Sequence, residues 1–308
     1  MKDFTKLAVE RQLSVMNCTS YEVGILHKDP EGIVKNDVMV NRIWSKTEIL
    51  NSLGWLKRQN VDGAHIYIRP QGSIGLIFFD DFNRKKLADL EAFGLKPAIC
   101  LQSSPDNFQG WIRISANVIE PAMATAIAQV IAKKFGGDFN NADWRHYGRM
   151  AGFTNRKPMY VDEVGRYPFV KLDEANYGVA PGAQAIIDEA IEYKKEKEAE
   201  MEAKRIELRA RLSQGKTTYE APDEFYKREL GVIVERFSEG KYDERSTKTG
   251  GVDRTRADWM IGMSMLKSGY AIEDIEYAYR TVSPKCQELG LAMERYINTT
   301  LTNLTTYL

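Results

Sequence analysis

The 308-residue sequence predicts an α+β fold with an antiparallel sheet and helices to one side, followed by a helical C-terminal third. Two observations carry that expectation. In the first half, short apolar runs with the strand period come in hairpin-like pairs, separated by turn residues and interrupted by helical segments. Past residue 190, Glu, Lys and Arg crowd one long segment, and the later apolar patterns have helical spacing.

In order, residues 4–16 read as a helix with Phe4, Leu7, Ala8 and Val15 on one apolar face. Residues 21–26 alternate as a strand, a polar turn falls at Asp29-Pro30-Glu31-Gly32, and a second strand returns over 37–43. Ser45 is the N-cap of a helix over 46–59. Strands follow at 64–69 and 74–79, then a short helix over 83–93 that stops at Gly94. Strands at 97–102 and 108–114 flank the turn composition Ser103-Ser104-Pro105-Asp106-Asn107. A helix over 120–135 closes on Gly136-Gly137. The composition changes over 190–211, and over 192–205 charge surrounds most of the helix, the pattern of a solvated helix bridging two domains. Helices at 223–237, 254–267, 272–279 and 291–304, separated by Gly269 and Pro284, form a small bundle. The expected organisation is a first domain over 1–185, a linker helix over 186–214 and a helical bundle over 215–308.

Lys+Arg (43) balances Asp+Glu (43), so any nucleic-acid partner must be met by local charge. Cys18, Cys100 and Cys286 lie far apart, match no metal spacing and suit a reducing compartment. No apolar stretch approaches the ~18 residues of a membrane span, and the first residues carry no secretion pattern, so a cytoplasmic protein is expected. There is no G-x-x-x-x-G-K-[ST] loop, nucleophile elbow or dinucleotide fingerprint, and His27, His65 and His146 are scattered rather than clustered for zinc.

Chemistry concentrates in three places. The run Ile74-Gly-Leu-Ile-Phe-Phe ends in Asp80-Asp81, two carboxylates at the end of a buried strand. Such charge needs a partner, and hard divalent cations prefer carboxylate oxygen, although adjacent acids at a strand-to-helix corner are also ordinary caps. Residues 133–157 hold six Lys or Arg against Asp138 and Asp143, a balance of +4, with Trp144, His146 and Tyr147 interleaved. That composition suits phosphates and stacked bases. The hairpin Ser103–Trp111 offers hydroxyls and amides that suit a triphosphate or sugar, as well as an ordinary turn.

Three stretches also match a known pattern. They are Trp55-Leu-Lys-Arg-Gln-Asn60 with Ile66-Tyr-Ile-Arg-Pro70; the Asp80-Asp81 strand with Ser104-Pro-Asp-Asn-Phe-Gln-Gly-Trp111; and Arg145-His-Tyr-Gly-Arg-Met-Ala-Gly-Phe-Thr-Asn-Arg-Lys157. Together they resemble the RepB′-type primases of mobilisable broad-host-range plasmids, in the archaeo-eukaryotic primase superfamily. The likeness covers about residues 40–160 well and the helical tail loosely. It implies an RRM-like catalytic core, a long linker helix and a C-terminal helical bundle. It implies a DNA primase that makes short primers on single-stranded DNA during plasmid or related mobile-element replication, by two-metal nucleotidyl transfer.

The same resemblance implies Mg²⁺ or Mn²⁺ held by Asp80, Asp81 and Asp138, with Asp143 competing for the third place. Where the superfamily carries a histidine after the hairpin strand, this chain has Asn107, Gln109 and Trp111, which moves the phosphate contact toward Arg145, His146 and Arg149. The implied nucleotide-binding set is Ser104, Asn107, Gln109, Arg145, His146 and Arg149; the DNA-binding set is Arg69, Trp111, Trp144, Arg156 and Lys157. Trp111 equally suits a core position on its strand. Expected partners are single-stranded template, nucleoside triphosphates and a separate replicative helicase and polymerase, with no membrane. The bundle, with Lys227, Arg228, Lys248, Arg254 and Arg256, is expected to choose an initiation site. A non-catalytic single-stranded-DNA-binding replication initiator on the same scaffold is the alternative, against which the intact acids argue. A relaxase or nuclease would need a catalytic Tyr or a metal-binding His cluster.

Overall fold

The computed structural model describes residues 2–28, 37–213, 220–238 and 253–306; the turn expected at Asp29–Gly32, Lys248 and the expected 214/215 boundary lie outside them. Helix α1 (Phe4–Met16) is capped by Asp3, whose carboxylate accepts from the Lys6 amide, and ends on Asn17 in the left-handed region. Its buried face is Val9, Gln12, Leu13, Val15 and Met16; of the expected apolar face Val15 is buried and Ala8 packs on the core, whereas Phe4 is 76% and Leu7 51% exposed.

Strands β1 (Tyr21–His27) and β2 (Val38–Trp44) follow, then α2 (Lys46–Asn51), opened by a full Ser45–Glu48 capping box. The single helix expected over 46–59 breaks at Ser52, just before Gly54, into α2 and α3 (Leu53–Val61). Ser/Gly pairs are common places for helices to kink, and here Ile49, Leu53 and Leu56 all reach the core. Next come β3 (His65–Pro70), β4 (Leu76–Phe82), α4 (Arg84–Ala92), β5 (Ile99–Ser104), β6 (Asn107–Arg113) and α5 (Pro121–Phe135). The two-residue β7 (Gly148–Arg149), β8 (Lys171–Ala175) and the long α6 (Ala183–Ser213) complete this part.

Two four-stranded antiparallel sheets form where one was expected: β2-β1-β3-β7 and β4-β6-β5-β8. The second is buried on both faces, which explains its unbroken apolar runs. Leu76, Phe78, Ile99, Leu101 and Trp111 turn toward the first sheet, α1 and α3. Ile77, Phe79, Cys100, Phe108 and Ile112 turn the other way, onto α4, α5 and the start of α6. Gly110 sits in the central strand, where a Cβ would stand 1.8 Å from the Ile99 carbonyl oxygen. Gly110→Ala is therefore expected to cost about 2–4 kcal/mol, read as a lower denaturation midpoint; an unchanged midpoint would contradict this contact.

The chain divides into two units, Met1–Lys195 and Glu196–Leu308, with α6 running through the division. The second unit contains α7 (Pro222–Ser238), α8 (Arg254–Lys267), α9 (Ile272–Val282), α10 (Pro284–Leu289) and α11 (Met293–Thr305). Pro284 begins α10, a position where its missing N–H costs nothing. The buried Asp258 carboxylate ties the bundle together, accepting from the Tyr226 hydroxyl, from Ser283 at 2.8 Å and from Tyr296 at 2.7 Å. Lys227, Arg228 and Arg254, expected to offer a basic face, are each paired with neighbouring glutamates. Among the described residues no helix is long and apolar enough to cross a membrane.

Candidate active site

Strand β4 runs apolar to Phe79 and then loses its register. Phe79 pairs with Gly110 and Phe82 with Phe108, so Asp80 and Asp81 together oppose the single residue Gln109. This is a β-bulge, a device that re-aims side chains at sheet edges and functional sites. In a regular strand the two carboxylates would face opposite ways. Here Asp81 adopts φ +63°, a conformation few non-glycine residues take, and both acids line one cavity of about 310 Å³.

A third acid arrives from α5. Gly136, at φ +74°, ends that helix. Gly137 then passes so close that a Cβ would stand 2.6 Å from the Phe82 ring. The Asp138 amide thereby donates to the Asp80 carbonyl at 3.2 Å. Asp138 lines the cavity, whereas Asp143 accepts from the Arg145 amide at 2.6 Å and is not among the lining residues.

Burial pushes the Asp80 carboxyl up to about 6, the charges of Asp81 and Asp138 adding to the rise against the Asp81 amide and Arg149. Asp81 Oδ1 accepts from Asn107 Nδ2 at 2.9 Å, and Asp138 Oδ2 accepts from Asn141 Nδ2 at 2.6 Å. Among the described residues no set of three His, Cys, Asp or Glu side chains is already gathered around a common point. The donor chemistry nevertheless fits a hard divalent cation. Three carboxylates line one polar cavity, and burial, with the neighbouring Asp81 and Asp138 charges, raises the Asp80 carboxyl, a cost that a bound cation would relieve.

The opposite wall is built for anions. Arg149, in β7, is 5% exposed and lines the cavity. Its guanidinium bonds His65 Nδ1 at 3.1 Å, lies over the Tyr67 ring, and has no ion-pair partner among the described residues. A buried cation without a counter-ion is costly, and an incoming anion relieves that cost. Gln109 is 4% exposed and its Nε2 has no hydrogen-bond partner. Ser104, Asn107, His146 and Lys157 also line the cavity. His146 stacks on Phe78 at 5.1 Å, and burial holds its pKa below the ordinary value, so it serves as a neutral ring.

Five expected residues lie elsewhere. Arg69 is paired with Glu22 at 2.5 Å and lies over the Tyr147 ring. Arg145 lies over Trp144, and Trp144 packs against the helical side of the second sheet. Arg156 lies over Tyr167 and donates to the Val61 carbonyl. Trp111 requires correction: it is 1% exposed, packed at a tilt against the Phe78 ring, and covered by Gly148, where a Cβ would stand 2.3 Å from the indole. No base can reach that ring. Trp111 is instead the floor on which β7 rests.

The residues that hold the loop were not apparent from the sequence. Gln12, fully buried in α1, donates to the Arg149 carbonyl at 3.2 Å and accepts from the Ala151 amide at 2.8 Å. Asn60 accepts from the Thr154 amide at 2.8 Å, and Asn155 donates to the Ser103 carbonyl at 2.8 Å. Tyr67, Ser103 and Tyr160 also line the cavity. A polar residue on the helical face of Val9, Leu13 and Met16 is the one signal that could have flagged Gln12.

His65 gives this unit a pH signature. Burial first, then the Arg149 charge, lowers its pKa from 6.5 to about 3. Below about pH 6.5 the unfolded chain takes up a proton that the folded chain refuses. Stability is thus full above that pH and is lost as pH falls toward 3, by at most ~1.4 kcal/mol per pH unit. In denaturant titrations between pH 7 and 5, His65→Asn is expected to flatten this slope; an equal slope in both proteins would contradict the burial of a neutral ring.

The stretch of sequence that builds this cavity matches a known family model. Residues 30–201 match the RepB DNA-primase N-terminal domain and residues 252–303 the RepB DNA-primase C-terminal helical domain; the chain belongs to the RepB DNA-primase family. It is 33% identical to Mobilization protein A of Escherichia coli over 293 residues, 93% of this chain but only 38% of that protein's length. It is 25% identical to a DNA primase of Acidithiobacillus ferrooxidans over 290 residues, 91% of this chain and 79% of the relative. Among solved structures, primase RepB′ superposes with a TM-score of 0.59 at 29% identity, covering 97% of this chain and 93% of that one. The catalytic domain of primase RepB′ in complex with initiator DNA superposes with a TM-score of 0.57 at 34% identity, covering 64% of this chain and 98% of that one.

Proposed function

We propose that this chain is a DNA primase that joins nucleotides on a single-stranded DNA template during plasmid or related mobile-element replication. The observation that carries the reading is the pairing, within one cavity of about 310 Å³, of Asp80, Asp81 and Asp138 with the buried, unpaired Arg149. Nucleotidyl transfer needs positioning and charge neutralisation rather than covalent chemistry, and these two walls supply the two signs of charge. A relative solved with initiator DNA supports the DNA reading.

Asp80, Asp81 and Asp138 would hold Mg²⁺ or Mn²⁺ by hard oxygen ligation. Ions bound there supply two things, a lower pKa for the attacking 3′-hydroxyl and charge neutralisation on the triphosphate. Asn107 and Asn141 orient two of these carboxylates. Arg149 and Lys157 would neutralise triphosphate oxygens, and the free Gln109 Nε2 would donate to one of them. Neutral His146, backed by Phe78, would orient the nucleotide through one ring nitrogen. Arg156, the chain neighbour of Lys157 outside the cavity, would meet template phosphates. Nucleoside triphosphates, single-stranded template and a separate helicase and polymerase are the partners this activity requires.

The test separates this reading from a non-catalytic single-stranded-DNA-binding initiator. Mn²⁺ binding, followed by electron paramagnetic resonance, should appear in the full chain and weaken when Asp80 is changed to Asn. Unaltered Mn²⁺ binding in Asp80→Asn, or none in the parent chain, would favour the initiator.

A further inference from the structure

Arg149 is the cation on which the anion-binding wall depends, yet nothing on its own strand fixes its direction. Strand β7 has two residues, joined to β3 by the pairs Tyr67–Arg149 and Ile68–Gly148. Its backbone is gripped from the α1 side by Gln12, which takes the Arg149 carbonyl and the Ala151 amide. That grip leaves the long side chain free to rotate about four bonds, at a substantial entropic cost on ordering. The guanidinium lies over the flat face of Tyr67, and one described side chain hydrogen-bonds it: His65, first residue of β3 and 2% exposed, through Nδ1 at 3.1 Å.

The chemistry of that contact has one solution. A guanidinium only donates, so Nδ1 accepts and the ring proton sits on Nε2. A carboxylate in the same place would neutralise Arg149 and remove its pull on an incoming anion. A neutral imidazole aims the cation without cancelling its charge.

We propose that His65 is a positioning residue for substrate, holding Arg149 toward the cavity so that it meets the phosphate chain of a nucleoside triphosphate. This rests on the nucleotide-binding reading of the cavity given above. His65 touches no reacting atom in this account; it acts through Arg149.

The experiment measures binding of inorganic tripolyphosphate by calorimetry, and steady-state nucleotide addition, for the full chain, His65→Asn, His65→Leu, Arg149→Met and the His65→Leu/Arg149→Met pair. The Asn side-chain oxygen can occupy the place of Nδ1, so His65→Asn should bind within about threefold of the parent. His65→Leu should weaken tripolyphosphate binding and raise the nucleotide KM by about tenfold, with kcat nearly unchanged. In the Arg149→Met background, His65→Leu should cost nothing further. Equal affinity in His65→Leu and the parent chain would overturn the inference. So would a loss in the Arg149→Met background as large as in the parent, which would mark His65 as a general packing residue. Absence of tripolyphosphate binding in the parent chain would instead overturn the nucleotide reading on which the inference stands.

Discussion

Asp81→Asn is expected to slow nucleotide addition by about 10²- to 10³-fold while leaving the denaturation midpoint almost unmoved. The backbone explains why Asn is the informative replacement. Asp81 stands at φ +63°, where Asn is among the few residues tolerated and Ala is strained. Its Oδ1 accepts from Asn107 Nδ2, a bond that an amide oxygen preserves. The substitution thus removes one negative charge and little else. The check is a rate at saturating nucleotide and Mg²⁺ or Mn²⁺ beside a thermal melt. A rate within threefold of the parent would mean that the bulged acids do not carry the reaction.

Arg149→Met should raise the KM for nucleoside triphosphate by roughly 10- to 100-fold, the value of charge-assisted bonds to phosphate. Its effect on kcat should be smaller. Stability should hold or rise, because a 5%-exposed cation with no ion-pair partner among the described residues is replaced by an apolar chain of similar length. Loss of stability without a change in KM would make Arg149 a structural residue. Steady-state kinetics and a denaturation curve on the same preparation decide the matter.

The acids and the basic loop could be read from the sequence because their signals are local. A continuous apolar strand ending in Asp80-Asp81 is visible within eight residues, and the glycine pair that brings Asp138 alongside is visible within three. The bulge is not visible: it is a relation between Asp80-Asp81 and Gln109, and register belongs to two strands at once. The supports of the loop were hidden for the same reason. Gln12, Asn60 and His65 act on Arg149, Thr154 and their neighbours from 84 to 139 positions away. Trp111 illustrates the ambiguity of a single aromatic: exposed stacking platform and core residue look alike on a strand until Gly148 is seen covering it. Strands β7 and β8 escaped because β7 has two residues and β8 is a charged edge strand, neither of which carries a recognisable period, and the division into two sheets is again a matter of pairing.

The measurement that tests the central claim most directly is primer synthesis itself: purified full chain, circular single-stranded DNA, labelled nucleotides and Mg²⁺ or Mn²⁺, with Asp81→Asn alongside. Short labelled products from the parent chain, dependent on the divalent ion and lost in Asp81→Asn, are the expected result. Equal products from both proteins would contradict the assignment of the acids. Confirmed template binding with no product from either would contradict the primase reading and favour a non-catalytic initiator.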